Sequence, residues 1–348
     1  MERWFISLIE YDENLYWITE LGSHFMKMNL KDNKIEYMRP YTDLQISDMS
    51  RSAILCYWNE MLIYVLERGK YIILLDINSN KTKTIEIDCE DMNLNMFSFA
   101  GVVNEKLIIL PMYHNEIIIV DLNNFVYERK NVIGIKGVNE FVQYYSMNSF
   151  RDNDILRFYS ILSCEMIALD MKNMNIIEHE SIKHDDAIFV NFDYINGKLF
   201  FLDKDNNIYK YNDKVCQLCY KLSSQKEGYL SVVHSGDTLY FLPFFGSKLL
   251  CMRDEKLYEL NQLDNIEYCA PKTMGKYFKE CRAGEKIYFS MHAGDKIVCI
   301  QDGEIEILHV KWPDTSEDVK ELIYQNRKMM EETKGTLNVF LNYIQDTY

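Results

Sequence analysis

Glycine and proline are scarce, 14 and 5 among 348 residues. A chain so poor in both is not collagenous or low-complexity, and 48% hydrophobic residues are too many for a disordered one. Basic residues are also short, 38 Lys and Arg against 53 Asp and Glu, for a formal net charge of −15. A surface of that sign repels phosphate backbones and anionic lipid, so neither nucleic-acid binding nor polybasic membrane attachment is expected. No apolar run reaches the ~18 residues that span a bilayer.

The segment Met1 to Asp12 has too short an apolar stretch, too early an acid and no small-residue cleavage site for a secretory signal. A cytoplasmic protein is expected. Nine cysteines agree with that: an odd number, scattered over the chain, is not a disulfide framework. Phosphate-binding glycine loops and the G-x-S-x-G elbow are absent, and no cofactor is expected.

What is present is a repeat. A turn is followed by an aliphatic–aromatic strand, a loop, and a second strand that often ends in Asp or Asn. The phrase reads Asn14-Leu-Tyr-Trp-Ile-Thr19, Met61-Leu-Ile-Tyr-Val-Leu66, Lys106-Leu-Ile-Ile-Leu-Pro111 and Ile155-Leu-Arg-Phe-Tyr-Ser160. It returns as Lys198-Leu-Phe-Phe-Leu-Asp203, Thr238-Leu-Tyr-Phe-Leu-Pro243 and Lys286-Ile-Tyr-Phe-Ser-Met291. Successive starts are 47, 45, 49, 43, 40 and 48 residues apart, the spacing of four-stranded propeller blades, ~45 residues. Each unit divides into four short strands joined by Gly, Asn or Asp turns. One such meander is marginal in water alone, so the units must stack face to face and close into a ring.

The expectation is therefore an all-β, seven-bladed β-propeller over 1–313, followed by a helical C-terminal extension over 314–348. Six blades stay open as an alternative because the fourth unit is the least regular. The first unit begins with its innermost strand, about Trp4–Glu10, and the last ends with its outer strand, about Glu304–Val310. On that phase the first and last blades abut without sharing strands.

The architecture resembles the kelch-like and YWTD-type propellers. Leu15-Tyr-Trp-Ile-Thr19 looks like the YWTD phrase, but no other unit repeats its Trp-x-Thr part. The paired glycines of kelch blades, the Trp-Asp dipeptide of WD40 blades and the Asp-box of sialidase-like propellers are missing. The resemblance thus implies a fold type and no particular family, and no family's active residues carry over.

After Trp312-Pro313 the strand period stops. Asp314-Thr-Ser-Glu317 has capping-box form, and 315–334 reads as helix. Residues 336–345 form a second candidate, with Leu337, Phe340, Leu341 and Ile344 on one stripe. This tail either packs on the propeller rim or docks a partner.

Chemistry is harder to find. Cys216-Gln-Leu-Cys219 lies in a strand-like run, where residues three apart face opposite ways, so no metal site is expected there. Asp203-Lys-Asp-Asn-Asn207 resembles the start of a calcium loop but lacks its glycine and its final glutamate; a polar hairpin turn is the simpler reading. The loops between second and third strands share one face of the disc with the interblade connections, where distant side chains converge. That face nominates Arg68, Tyr113, His114, Asn115, Phe244, Phe245 and His292 as ligand-binding residues. Aromatics interleaved with His, Arg and Asn suit a sugar, a peptide or a protein side chain. The candidate inner strands carry Glu10, Tyr57, Tyr144, Asp193, His234 and Glu280, the only hint of catalysis.

The leading expectation is a non-catalytic binding or scaffold propeller for a protein, peptide or glycan ligand. The alternative is a carbohydrate-active glycosidase or lyase working at the channel mouth. A third possibility is a companion protein that presents a peptide or acceptor to a biosynthetic enzyme.

Overall fold

The computed structural model describes residues 6–18, 24–40, 53–66, 70–88, 97–111, 116–131, 145–161, 163–185, 187–222, 229–243, 249–260, 281–283, 285–290 and 296–310. They form seven four-stranded antiparallel sheets, each built from four consecutive strands. The sheets, blades 1 to 7, cover 6–40, 53–86, 97–131, 145–181, 189–221, 229–260 and 281–309. Second strands start at Asn14, Met61, Lys106, Ile155, Lys198, Thr238 and Lys286, the seven starts of the repeated phrase. There are seven blades, not six.

Turn chemistry explains the hairpins between first and second strands. Asp12-Glu13, Asn59-Glu60 and Asn104-Glu105 all have positive φ, as does Asn196-Gly197. Both central residues of a type I′ turn need this conformation, which Asn, Asp and Gly tolerate best. Hairpins between third and fourth strands come in two forms. In blades 5 to 7 they are two-residue turns, Asp213-Lys214, Asp254-Glu255 and Asp302-Gly303, again with positive φ throughout. In blades 2 to 4 a loop of five, four and four residues respectively winds around the last residue of the third strand. Asp76 accepts the N–H groups of Asn78 (2.9 Å) and Ser79 (2.7 Å), Asp121 those of Asn123 and Asn124, and Asp170 those of Lys172 and Asn173. The recurring terminal Asp of the sequence phrase is this loop acceptor.

Burial follows position in the blade. Middle strands such as Met61–Leu66 and Tyr71–Asp76 are buried almost throughout, because neighbouring blades cover both faces. Outer strands such as Val126–Asn131 alternate between half-buried and exposed. One apolar cluster fills each gap between consecutive blades. The gap between blades 7 and 1 holds Leu8, Trp17 and Met26 against Tyr288, Ile297 and Leu308. Among the described residues no sheet mixes strands from both ends of the chain, so side-chain packing closes the ring. First strands lie beside one another around the circle and line the channel. The two candidate tail helices, 315–334 and 336–345, lie outside the described residues.

Candidate functional site

The first strands set the geometry of the channel. In blades 1, 3, 4, 5 and 6 the first strand, or its partner opposite, shifts register near its entry, and pairing from there to the hairpin is unbroken. A bulge at that point adds twist and lets the strand follow the channel wall. Counting back from the hairpin therefore finds equivalent positions.

Two residues before each turn stand Glu10, Tyr57, Val102, Arg151, Tyr194 and His234, in blades 1 to 6. Each is paired across the sheet with a leucine, Leu15, Leu62, Leu107, Leu156, Leu199 and Leu239 respectively. The leucine is buried in the blade, whereas its partner belongs to a ring of polar and aromatic residues at one mouth. Tyr57 is 50% exposed and Arg151 is exposed, while Glu10, Tyr194 and His234 are half-buried.

One side-chain contact between blades organises this mouth. Asp193 Oδ2 lies 2.9 Å from His234 Nδ1 in the next blade, and Asp193 Oδ1 accepts the N–H of Tyr194 at 2.8 Å. Asp193 is 1% exposed. A carboxylate buried to that degree needs such partners, since an isolated buried charge is strongly unfavourable. In return it fixes the orientation of the imidazole through Nδ1. Phe150 of blade 4 reaches past blade 5 to stand 6.1 Å from the His234 ring, and 5.4 Å from Tyr194. The Arg157 guanidinium is 5.9 Å from the centre of the Tyr194 ring.

On the other side Tyr11 and Tyr57 pack at 4.8 Å with their planes 47° apart. Arg151 lies between these groups. Its Nε donates to the Asn153 carbonyl at 2.9 Å, and Nη1 lies 3.4 Å from where a Cβ on Gly101 of blade 3 would stand. Its charge also reaches Cys56, next to Tyr57 in blade 2, although burial dominates there and pushes the thiol up to about 12. That thiol stays protonated and is a poor nucleophile.

Arg68, Tyr113, His114, Asn115, Phe244, Phe245 and His292 all lie outside the described residues, as do Tyr144 and Glu280. Of the six inner-strand candidates, Asp193 and His234 are brought into contact and Glu10 and Tyr57 share their mouth. Sequence reasoning missed Phe150, Arg151 and Tyr194. For Arg151 and Tyr194 the signal was available, because each stands five positions before the first Leu of the repeated phrase, and Phe150 directly precedes Arg151. Cys216 packs into the gap between blades 4 and 5 and Cys219 into that between blades 5 and 6, on opposite faces of one strand. Asp203 folds its turn around itself, accepting the N–H of Asp205 at 2.9 Å and of Asn207 at 2.7 Å. Among the described residues no cluster of three His, Cys, Asp or Glu side chains could hold a metal ion.

No protein-family model and no curated protein matches the sequence. Solved structures do. Virginiamycin B lyase from Staphylococcus aureus is 15% identical with a TM-score of 0.63, over 85% of this chain and 94% of that one. YCF48 bound to D1 peptide is 11% identical with a TM-score of 0.59, over 89% and 94%. The β-propeller domain of Cps50 (Swd1) from Myceliophteria thermophila is 12% identical with a TM-score of 0.57, over 89% and 98%. At such identities the likeness is one of fold, and the chain is a seven-bladed β-propeller.

Proposed function

We propose that the chain is a non-catalytic binding propeller that holds a protein or peptide ligand at a mouth of its channel. The observation that carries this reading is the recurrence of Tyr57, Arg151, Tyr194 and His234 at one register position, in blades 2, 4, 5 and 6. An exposed and a half-buried tyrosine with one arginine and one oriented histidine, on a rigid disc, match the residue types that dominate recognition surfaces. YCF48, similar in fold, is a propeller with a peptide bound. The sequence-nominated loops with His114, Phe245 and His292, outside the described residues, are the second candidate surface for the same kind of ligand.

The test is co-purification from the native source followed by mass spectrometry, with two triple variants as controls. Tyr57→Ala/Arg151→Gln/His234→Ala removes the described mouth; His114→Ala/Phe245→Ala/His292→Ala removes the loop face. A partner lost from the first alone assigns the described mouth, and one lost from the second alone assigns the loop face. A partner retained by both variants disposes of channel binding.

The Asp193–His234 pair favours a second reading, a lyase or hydrolase acting on a carbohydrate or a related substrate. A carboxylate that orients an imidazole is the arrangement a general base requires. On that reading Asp193→Asn loses turnover without loss of binding, whereas the binding reading has no turnover to lose.

A further inference from the structure

The described mouth has a chemical preference. The chain carries an excess of acids, 53 against 38 bases, so an arginine on its surface would be expected to meet a carboxylate. Arg157 does, with Glu178 at 3.6 Å, and Lys198 and Lys210 converge on Glu255 at 3.0 Å each. Among the described residues Arg151 forms no such pair. Its Nε is anchored on the Asn153 carbonyl at 2.9 Å, which holds the guanidinium plane and leaves both Nη groups for another acceptor. The fork borders Gly101 of blade 3, Nη1 lying 3.4 Å from where a Cβ there would stand, an ordinary van der Waals distance.

Other residues of the same channel wall are aromatic. Tyr57 is 50% exposed and leans on Tyr11 at 4.8 Å, while Phe150 and Tyr194 stand 5.4 Å apart on the other flank. Of the two carboxylates in this wall among the described residues, Asp193 is 1% exposed and bound to His234 and to the Tyr194 N–H. Glu10 is half-buried in blade 1, next to Tyr11.

We propose that this mouth binds a carboxylate joined to an aromatic ring, the carboxylate on the Arg151 fork and the ring against Tyr57. A planar carboxylate accepts two parallel N–H bonds from a guanidinium, geometry that a lysine ammonium does not reproduce. An exposed phenol offers an aromatic ring an offset or edge-on contact. The preference rests on the binding reading above and adds the group recognised. That group exists both in free aromatic acids and at the end of a peptide with a C-terminal aromatic residue.

The probes are benzoate, the tripeptide Gly-Gly-Phe as free acid and as C-terminal amide, benzyl alcohol and benzylammonium, followed by ligand-detected NMR on the full chain. Benzoate or the free-acid tripeptide should bind with a Kd near ~1 mM, an affinity fitting one charge-assisted contact and one ring contact. The amide and benzyl alcohol should bind at least ~10-fold more weakly. Arg151→Gln should weaken acid binding ~10-fold or more, and Arg151→Lys by less, with unchanged thermal unfolding in both. Preference for the tripeptide acid over benzoate identifies a peptide end, and the reverse a free acid. Benzylammonium binding as tightly as benzoate, equal binding of acid and amide, or indifference to Arg151→Gln would each overturn the proposal. If no probe binds but the native partner is still lost from the Tyr57/Arg151/His234 variant, the carboxylate preference falls and the binding reading stands. If no partner is lost either, both fall.

Discussion

Asp193 and His234 are 41 residues apart in sequence and belong to different blades, yet Oδ2 and Nδ1 meet at 2.9 Å. The contact is a product of ring geometry. Asp193 stands one position further from its hairpin than His234 does, so one unit of the repeat supplies the buried carboxylate and the next supplies the ring it orients. Each blade is an independent meander, and side chains such as these tie neighbouring blades together at the mouth.

Removing the carboxylate tests this link. Asp193→Ala deprives His234 and the Tyr194 N–H of their acceptor inside a buried wall. It should lower stability by ~1–3 kcal/mol, the usual consequence of leaving a buried polar group unpaired. Asp193→Asn keeps an acceptor and should cost less. A double-mutant cycle with His234→Ala, followed by urea unfolding, should give a coupling of ~1 kcal/mol or more. Additive losses would mean that the pair is an incidental contact.

Gly101 sits where the other first strands carry Ile9, Cys56, Phe150, Asp193, Val233 or Cys281. A Cβ there would fall 2.6 Å from Phe99 Cζ. Phe99 packs against the cluster between blades 3 and 4, so its ring cannot swing aside freely. Gly101→Ala should destabilise by ~1–3 kcal/mol, as overpacking does. Gly101→Ala with Phe99→Leu should recover part of the loss relative to Phe99→Leu alone. Thermal unfolding of the three variants decides, and a neutral Gly101→Ala would show that the ring yields.

The seam between blades 7 and 1 is held by side chains alone among the described residues. Trp17, fully buried in it, is the largest of those side chains. Trp17→Ala should cost ~3–5 kcal/mol through lost burial and the cavity left behind. Beyond that loss, hydrogen exchange should accelerate first in Ile6–Tyr11 and Lys296–Gln301 before the other blades respond. Uniform acceleration around the ring would show that the seam is no weaker than the other gaps.

Much of this was legible in the sequence, and for a definite reason. The second strands are buried on both faces in every blade, so each repeats the same aliphatic–aromatic run, and its start is fixed by a turn that needs positive φ. Seven starts and the four-strand division follow from those two constraints. The channel residues were less legible because no common constraint acts on them. Glu10, Tyr57, Val102, Arg151, Tyr194 and His234 share a register position but no residue type, and only the leucine opposite marks them. The first strand is described over Ile6–Tyr11, one residue beyond the expected end at Glu10, and Trp4 and Phe5 lie outside the described residues. Asp193 and His234 were recognisable as inner-strand polar residues, but their contact depends on the turn of one blade against the next.

The pH range of stability should be bounded on both sides by groups of opposite behaviour. Asp76, Asp121 and Asp170 are held below the ordinary carboxylate value, chiefly by the N–H groups of Ser79, Asn123 and Asn173. A depressed carboxylate stabilises the native state above its unfolded value, ~3.9, and that contribution is lost as pH falls through the native values. Tyr16 and Tyr209 are pushed up to about 12, and Tyr159 and Tyr288 are also raised, in each case first by burial. Those phenols stay neutral when folded but ionise near ~10 when unfolded, so stability is complete below ~10 and lost as pH climbs toward 12. Urea midpoints measured from pH 2 to 12 should therefore form a plateau with both limbs falling. Absorbance at 295 nm should show these tyrosines ionising together with unfolding. The Asp76→Asn/Asp121→Asn/Asp170→Asn triple variant keeps the three turn acceptors without their titration, and it should flatten the acid limb while leaving the alkaline one in place. An acid limb unchanged by the triple variant would move the acid sensitivity away from the hairpins to the remaining carboxylates.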